Sequence, residues 1–268
     1  MNLDLFKEKY LDLVLIKNNG LEYFKIYNKR DYQITIIKSD EINGEIYAQG
    51  LFNLNNFEKH LTDLIVKHRL NELGIIIHTP NIIFKTLKLP KSKDVELTIT
   101  NYLRVNLPLP IERYSFFYSE NKYKTSGNIS NFNVYLINKD LIEKVLKISE
   151  SYNLLPLFIS PSVEIIYQFL LNSTFLSLNE EYLFIILVKN TIIVMHIKDL
   201  IPMKIILEEY EVGKIGLDLL IFRILNFTKQ ELGEAAKIII LAETEDIKIN
   251  LDQDRNIRIQ LLPKDIFI

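Results

Sequence analysis

Short runs of β-branched and aromatic residues open the chain and return near its end. They lie at residues 11–16, 21–27 and 32–38, and again at 182–188, 191–198 and 200–207. Asn- and Gly-containing turns separate the first three runs, a pattern that predicts antiparallel strands joined in a meander. A five-residue echo stands at the first turn of each set: Leu15-Ile16-Lys17-Asn18-Asn19 and Leu187-Val188-Lys189-Asn190-Thr191. The repetition predicts a duplicated α/β protein built from two related halves.

Between the two sets, the apolar spacing becomes that of α-helices. Apolar residues recur every three or four positions over 54–73, which predicts a helix leading into a buried strand at 75–77. Further helices are predicted at 93–105, 140–152, 162–171 and 212–226, and further strands at 82–90, 132–137, 237–241 and 257–262. We expect residues 154–159 to form a connection, Ser160 to cap the helix that follows it and Pro161 to be its first residue.

The composition limits the classes of function. With 268 residues and 48% apolar content, the chain can bury one large core or two smaller ones. Its 32 basic and 34 acidic residues are interspersed, which argues against a nucleic-acid partner. The absence of cysteine excludes disulfides, thiolate metal sites and a thiol nucleophile. No apolar run approaches the roughly 20 residues of a spanning helix, so we expect a cytoplasmic protein.

Residue chemistry alone identifies neither a catalytic centre nor a metal site. The histidines His60, His68, His78 and His196 lack the tight spacing of a ligand pair. Because His60 and His68 lie about two turns apart on one predicted helix, we expect both on its solvated face. The sequence contains no glycine-rich phosphate loop and no G-x-S-x-G nucleophile motif.

The stretch from 74 to 171 combines several features in a particular order. A strand ends at a turn containing Pro80, a second strand ends in Leu89-Pro90, and a helix leaves through a Pro-x-Pro exit at 108–110. A strand, a helix and the passage 154–164 follow. This order resembles the PilM/GspL group of inner-membrane assembly proteins in type IV pilus and type II secretion machines.

The resemblance implies an actin-like (ribonuclease-H-like) α/β fold, in which two domains flank a cleft that can hold ATP. Domain I is expected at residues 1–165, with a small β/α subdomain inserted at about 82–150. A shortened domain II is expected at 166–268.

The resemblance also tests the nucleotide chemistry. Family members that bind nucleotide carry an Asp-x-Gly turn in each half, but here Leu15 and Leu187 stand where the aspartates would be, and Lys17 and Lys189 replace the glycines. A leucine cannot coordinate magnesium or orient water, and no Gly-Gly pair exists to approach the adenosine. These positions imply a degenerate site without cofactor, metal or enzymatic activity. The two lysines are either anion ligands or exposed turn residues, and we favour exposed turn residues.

The family resemblance therefore implies a non-enzymatic scaffold at the inner membrane. Its expected partners are a bitopic inner-membrane assembly protein and a cytoplasmic motor ATPase, with a second copy of the chain as a further candidate. An ATP-binding actin-like protein, whose nucleotide controls partner binding, is the alternative. An unrelated α/β enzyme such as a sugar kinase ranks last, because it would need the same missing carboxylates.

Two segments have two interpretations each. The residues Leu107, Pro108, Leu109, Pro110 and Ile111 either end a helix or contribute to a partner-binding surface, and we favour the helix end. The tail at 259–265 is either the last strand or a peptide similar to the one by which the membrane partner of PilM enters its cleft, and we favour the strand.

Overall fold

The computed structural model describes residues 10–28, 34–48, 51–188, 191–209, 237–242 and 257–261. The first part of the chain forms β1 (Tyr10–Lys17), β2 (Gly20–Asn28), β3 (Ile34–Asn43), β4 (Tyr47–Ala48), β5 (Leu51–Phe52), α1 (Leu54–His68) and β6 (Glu72–Ile77). The middle part forms β7 (Ile83–Pro90), α2 (Val95–Asn106), a 3-10 turn (Ile111–Arg113), β8 (Tyr114–Ser126), β9 (Ile129–Asn138), α3 (Lys139–Ser151), β10 (Leu155–Pro161) and α4 (Ser162–Asn172). The last part forms β11 (Glu181–Val188), β12 (Thr191–Lys198), β13 (Ile201–Glu209), β14 (Lys237–Ala242) and β15 (Ile257–Leu261). Lys189, the predicted helix at 212–226 and the tail beyond Leu261 lie outside the described residues.

Two five-stranded sheets share one plan. The first has the order β10-β6-β1-β2-β3 and the second the order β13-β12-β11-β14-β15. In each sheet an antiparallel meander (β1-β2-β3 or β11-β12-β13) is extended by parallel strands on the side of its first strand. The predicted duplication of an opening meander is therefore confirmed.

Helices α1 and α3 cover one face of the first sheet. Both begin at an asparagine cap, Asn53 and Asn138, whose side-chain oxygen accepts a backbone N–H from the first turn. The buried apolar residues of this core include Val14, Ile75 and Val145. The insert predicted at about 82–150 included α3, whereas in the structure α3 packs on the first sheet.

We propose a smaller inserted unit than the sequence predicted. A three-stranded sheet with the order β7-β9-β8 carries α2 on one face. Ile99 and Leu103 of α2 pack against Leu87 and Val134 of the sheet. We place the insert at the chain between β6 and α3, because this small core contains residues of that segment alone.

Helix α4 joins the two sheets. Its Ile165 packs on the first sheet, whereas Val163, Ile166 and Leu170 belong to the core of the second. The predicted domain boundary at 165/166 thus falls inside a helix that contacts both sheets.

Several local predictions were wrong. Of the predicted connection at 154–159, residues 155–159 belong to β10, which pairs with β6. Ser160 lies in that strand, and α4 begins without a side-chain cap. His60 and His68 are not solvated: both ring nitrogens of His60 are buried, and His68 stacks on the Tyr23 ring at 4.1 Å.

Candidate functional site

Parallel strands bring three chain segments to one edge of the first sheet. Ile16 pairs with Ile77, and Ile77 pairs with Pro161, so the next residues, at 17, 78 and 162, follow at the same level. In open α/β sheets, ligands bind in the crevice outside the carboxyl ends of the strands. This edge is therefore where a ligand of the first half would be held.

Lys17 stands at this edge, and its charge is already neutralised. Its ammonium nitrogen lies 3.2 Å from a carboxylate oxygen of Glu22 and 2.7 Å from one of Glu41. Glu22 and Glu41 are direct cross-strand partners, so the ammonium separates two like charges. The expectation of an exposed turn lysine was wrong, because Lys17 is only 8% exposed. Its pairing also leaves no free charge for an incoming anion.

The turn between β1 and β2 is covered by the chain itself. The Asn18 carbonyl accepts hydrogen bonds from the N–H groups of Ile46 and Tyr47, at 2.7 and 3.0 Å, and the Asn19 carbonyl accepts one from Gly44 at 2.9 Å. Glycine is required at Gly20, because a Cβ there would lie 2.1 Å from the Ile42 carbonyl oxygen. A phosphate-binding turn presents N–H groups to its ligand, whereas this one uses its carbonyls to hold residues 44–47.

Beside Lys17, a histidine and a serine at the same edge of the sheet are hydrogen bonded to each other. His78 Nδ1 and Ser162 Oγ are hydrogen bonded at 2.8 Å. The backbone N–H of His78 donates to the Ile16 carbonyl, also at 2.8 Å. The two residues are 84 positions apart, so no local motif could reveal the pair. Ser162 is fully buried, and a substrate cannot reach its hydroxyl. The pair has the residue types of a nucleophilic dyad but holds β6 to the start of α4.

In the part of the chain that the structure describes, the strands at the equivalent edge of the second sheet end in apolar residues. The last hairpin pairs are Lys17 with Gly20 and Val188 with Thr191, so Lys17 corresponds to Val188. Leu187 then corresponds to Ile16, and each pairs with the last residue of the adjacent parallel strand. The sequence echo that aligned Leu15 with Leu187 is thus one residue out of register.

The shift of one residue still places no carboxylate at the end of β1 or of β11. Leu15 corresponds to Ile186, and both residues are buried. Leu15 belongs to the core on the first sheet that contacts α4, and Ile186 belongs to the core on the second sheet that contacts it. None of the last three residues of β1 or of β11 is acidic. Among the described residues, no group of three or more His, Asp or Glu side chains is arranged to hold a metal ion.

The segment at 107–111 alternates between the insert core and solvent. Leu107 and Leu109 pack partly against that core and Ile111 is buried in it, whereas Pro108 and Pro110 are exposed. Only the prolines of the predicted partner-binding stretch are freely accessible.

Polar groups fasten the insert to α4 and to the second sheet. The Tyr167 hydroxyl donates to the Leu200 carbonyl at 2.8 Å, and Asn121 of β8 donates to that hydroxyl at 2.8 Å. The Tyr135 hydroxyl of β9 donates to Glu164 of α4. Burial raises the pKa of the Glu164 carboxyl, although hydrogen bonds from Tyr135 and Gln168 oppose that rise.

Solved structures share this architecture at low sequence identity. The PilM-PilN type IV pilus biogenesis complex is 10% identical, with a TM-score of 0.65 over 94% of this chain and 88% of that chain. The cytoplasmic domain of EpsL, an inner-membrane component of the type II secretion system of Vibrio cholerae, is 10% identical, with a TM-score of 0.56 over 95% of this chain and 89% of that one. A Bacteroides thetaiotaomicron protein with an actin-like ATPase fold and unknown function is 12% identical, with a TM-score of 0.54 over 92% and 87%.

No protein-family model matches the sequence, and neither does any curated protein. Of the helices in the described ranges, none has both the length and the apolar character needed to span a bilayer. The chain has an actin-like α/β fold that resembles those of PilM and the cytoplasmic domain of EpsL.

Proposed function

We propose that this chain is a non-enzymatic scaffold, which links a bitopic inner-membrane protein to a cytoplasmic motor ATPase in a type IV pilus or a type II secretion system. It would sit peripherally at the inner membrane, held there by its partners. Its two halves would form actin-like domains joined through α4.

One observation carries the non-enzymatic part of the proposal. The strand ends that would supply magnesium ligands carry leucine, isoleucine, valine and a lysine paired to two glutamates. Phosphoryl transfer depends on metal ions and positioned polar groups to stabilise the charge of the transition state. At this edge Lys17 and the His78–Ser162 pair are instead buried and engaged with their own neighbours.

The partner part of the proposal rests on the fold. PilM was solved in a complex with PilN, and EpsL belongs to an inner-membrane machine. A protein with that fold, whose β1 and β11 ends offer no magnesium ligand, would act through its surfaces.

Affinity purification of the full chain from its own cells, after mild detergent solubilisation of the membranes, tests this function. We expect a single-span membrane protein and a secretion-type ATPase to co-purify with the tagged chain in reproducible amounts. Recovery of neither class, from cells that produce the tagged chain at its native level, would contradict the scaffold function.

A further inference from the structure

Helix α2 places apolar side chains on the side that faces away from its own core. Ile99 and Leu103 pack against the inserted sheet. Each residue advances about 100° around a helix, so the side opposite Ile99 and Leu103 carries Leu97, Asn101, Arg104 and Val105. The last three of these follow Leu97 by four, seven and eight residues. Leu97 is 54% exposed and Val105 is 83% exposed. We call these four residues the outer stripe.

The polar residues beside the outer stripe bond mostly to the helix itself. The hydroxyl of Thr98 donates to the Asp94 carbonyl at 2.8 Å, and that of Thr100 donates to the Glu96 carbonyl at 2.9 Å. A side chain that bonds back to its own helix has less capacity left for water. The exposed face of α2 is consequently more apolar than its composition indicates.

Cations lie within and beside the outer stripe. Arg104 lies within it, and Lys91 and Lys93 precede the helix cap Asp94. All three cations are exposed, and none forms an ion pair with a residue that the structure describes. The charge of the segment 78–138 has the same sign: it contains eight Lys or Arg and four Asp or Glu, whereas the rest of the chain contains 24 and 30.

Singly exposed apolar residues are normal on protein surfaces and need no partner. The outer stripe differs because a leucine and a valine share one helix face with an arginine that has no described partner. Interfaces combine apolar anchors with complementary charge, which steers encounter and selects the partner.

We propose that the outer stripe of α2 docks an acidic amphipathic segment of a partner protein, with apolar side chains against Leu97 and Val105 and a carboxylate against Arg104. This inference rests on the proposed scaffold function and names one of its surfaces. A bilayer is the poorer match, because a helix that lies on a membrane needs a wide apolar face, and α2 exposes Glu96 and Asn101 beside its two aliphatic residues.

Site-specific photo-crosslinking in the cells that make the protein tests the docking surface. Val105 is replaced by p-benzoylphenylalanine in the full chain, and the crosslinked peptide is identified by mass spectrometry. The matched control places the same photo-reactive residue at Val66, which is 62% exposed on α1. We expect a crosslink at position 105, absent at position 66, to a partner segment that carries carboxylates and apolar residues at helical spacing.

Charge reversal separates docking from chance proximity. The Arg104→Glu variant should lower the yield of that crosslink at least fivefold, whereas Lys147→Glu on α3, an equal change of charge at another exposed site, should leave it unchanged. Circular dichroism melting curves of both variants verify that the fold is intact.

Four outcomes would overturn the inference: no crosslink above the Val66 control, an adduct with lipid, an adduct with a second copy of the chain, or a partner segment without carboxylates. If the membrane protein and the ATPase still co-purify with the chain in any of these cases, the scaffold function stands and only the docking surface is wrong. Loss of both partners from the purification would contradict the function itself.

Discussion

The environment of Lys17 in the structure differs from the one that the sequence predicts. In the sequence it stands beside two asparagines and a glycine, which is typical of an exposed turn. In the structure it bridges Glu22 and Glu41 from two neighbouring strands. The sequence does not reveal this pairing, because Glu41 is 24 residues away and only the register of β2 with β3 brings it near.

Removing the Lys17 charge should destabilise the protein. The Lys17→Met variant keeps an aliphatic stem but removes the ammonium that lies between Glu22 and Glu41. Breaking a fully buried pair costs about 3–5 kcal/mol. Because the Glu41 side chain is 44% exposed, we expect a smaller loss, about 2 kcal/mol in the free energy of unfolding. Urea denaturation at pH 7 measures it.

The double variant Lys17→Met with Glu22→Gln is the matched control. It removes the like-charge contact and should recover part of the lost stability. A single variant that unfolds at the same urea concentration as the unchanged protein would mean that the ion pairs contribute nothing.

Asp40 predicts a dependence of stability on pH. Hydrogen bonds from Lys67 and then His68 hold the pKa of this carboxyl below its usual range. Its contribution is therefore present above the unfolded-state pKa, about 3.9, and is lost as pH falls through the lower folded-state pKa. The Asp40→Asn variant should lose about 1 kcal/mol at pH 7.

That difference should shrink as the pH is lowered below 4, because the carboxyl of the unchanged protein then becomes neutral as well. Urea denaturation of both proteins across this range provides the measurement. Glu143→Gln, at a carboxylate whose side chain is 61% exposed, serves as the control with little expected change. A penalty for Asp40→Asn that stays constant with pH would show that packing, and not charge, is responsible.

At the scale of elements, the helices and central strands were predictable. The caps Asn53, Asp94 and Asn138 each precede a helical apolar pattern, so the starts of α1, α2 and α3 could be read to within two residues. The role of β10 could not, because two prolines and exposed leucines make an edge strand look like a linker. Likewise, the burial of His60 and His68 depends on how α1 packs, which no local pattern specifies.

The junction of α4 with the insert supplies a prediction at this scale. Burial raises the pKa of Glu164, so the stabilising protonated form is present below the unfolded-state pKa, about 4.3, and is lost as pH rises through the folded-state value. Glu164→Gln keeps the size of the side chain and an oxygen that accepts hydrogen bonds, but it removes the charge. We expect the variant to be more stable than the unchanged protein at pH 8, on the order of 1 kcal/mol, and equal to it near pH 4.

Thermal unfolding monitored by circular dichroism at the two pH values measures this effect. Tyr135→Phe is the companion variant: it removes the hydroxyl that donates to Glu164 and should destabilise the protein at pH 8. Equal stability of Glu164→Gln and the unchanged protein at pH 8 would mean that the carboxylate is well solvated.

At the scale of the whole molecule, the duplicated plan was predictable and the detailed alignment of its halves was not. A five-residue echo identified the two hairpins, but the register of β1 with β6 and of β11 with β14 moves the correspondence by one residue. The resemblance over 74–171 indicated the actin-like fold that the solved structures share. The chemistry at the carboxyl ends of the first sheet depended on contacts such as that of His78 with Ser162, which only the folded chain brings together.

The last prediction concerns nucleotide. Isothermal titration of the full chain with ATP and magnesium should give no saturable heat up to millimolar nucleotide. The physical reason is that the last residues of β1 and β11 include no carboxylate for the metal, that Lys17 is already paired, and that residues 44–47 lie on the turn that would approach phosphate. Binding would have to break these contacts, and the lost ion pairs would have to be replaced by contacts with the ligand. A micromolar isotherm would instead support the nucleotide-controlled alternative, and its loss in the Lys17→Met variant would place the nucleotide at this edge of the first sheet.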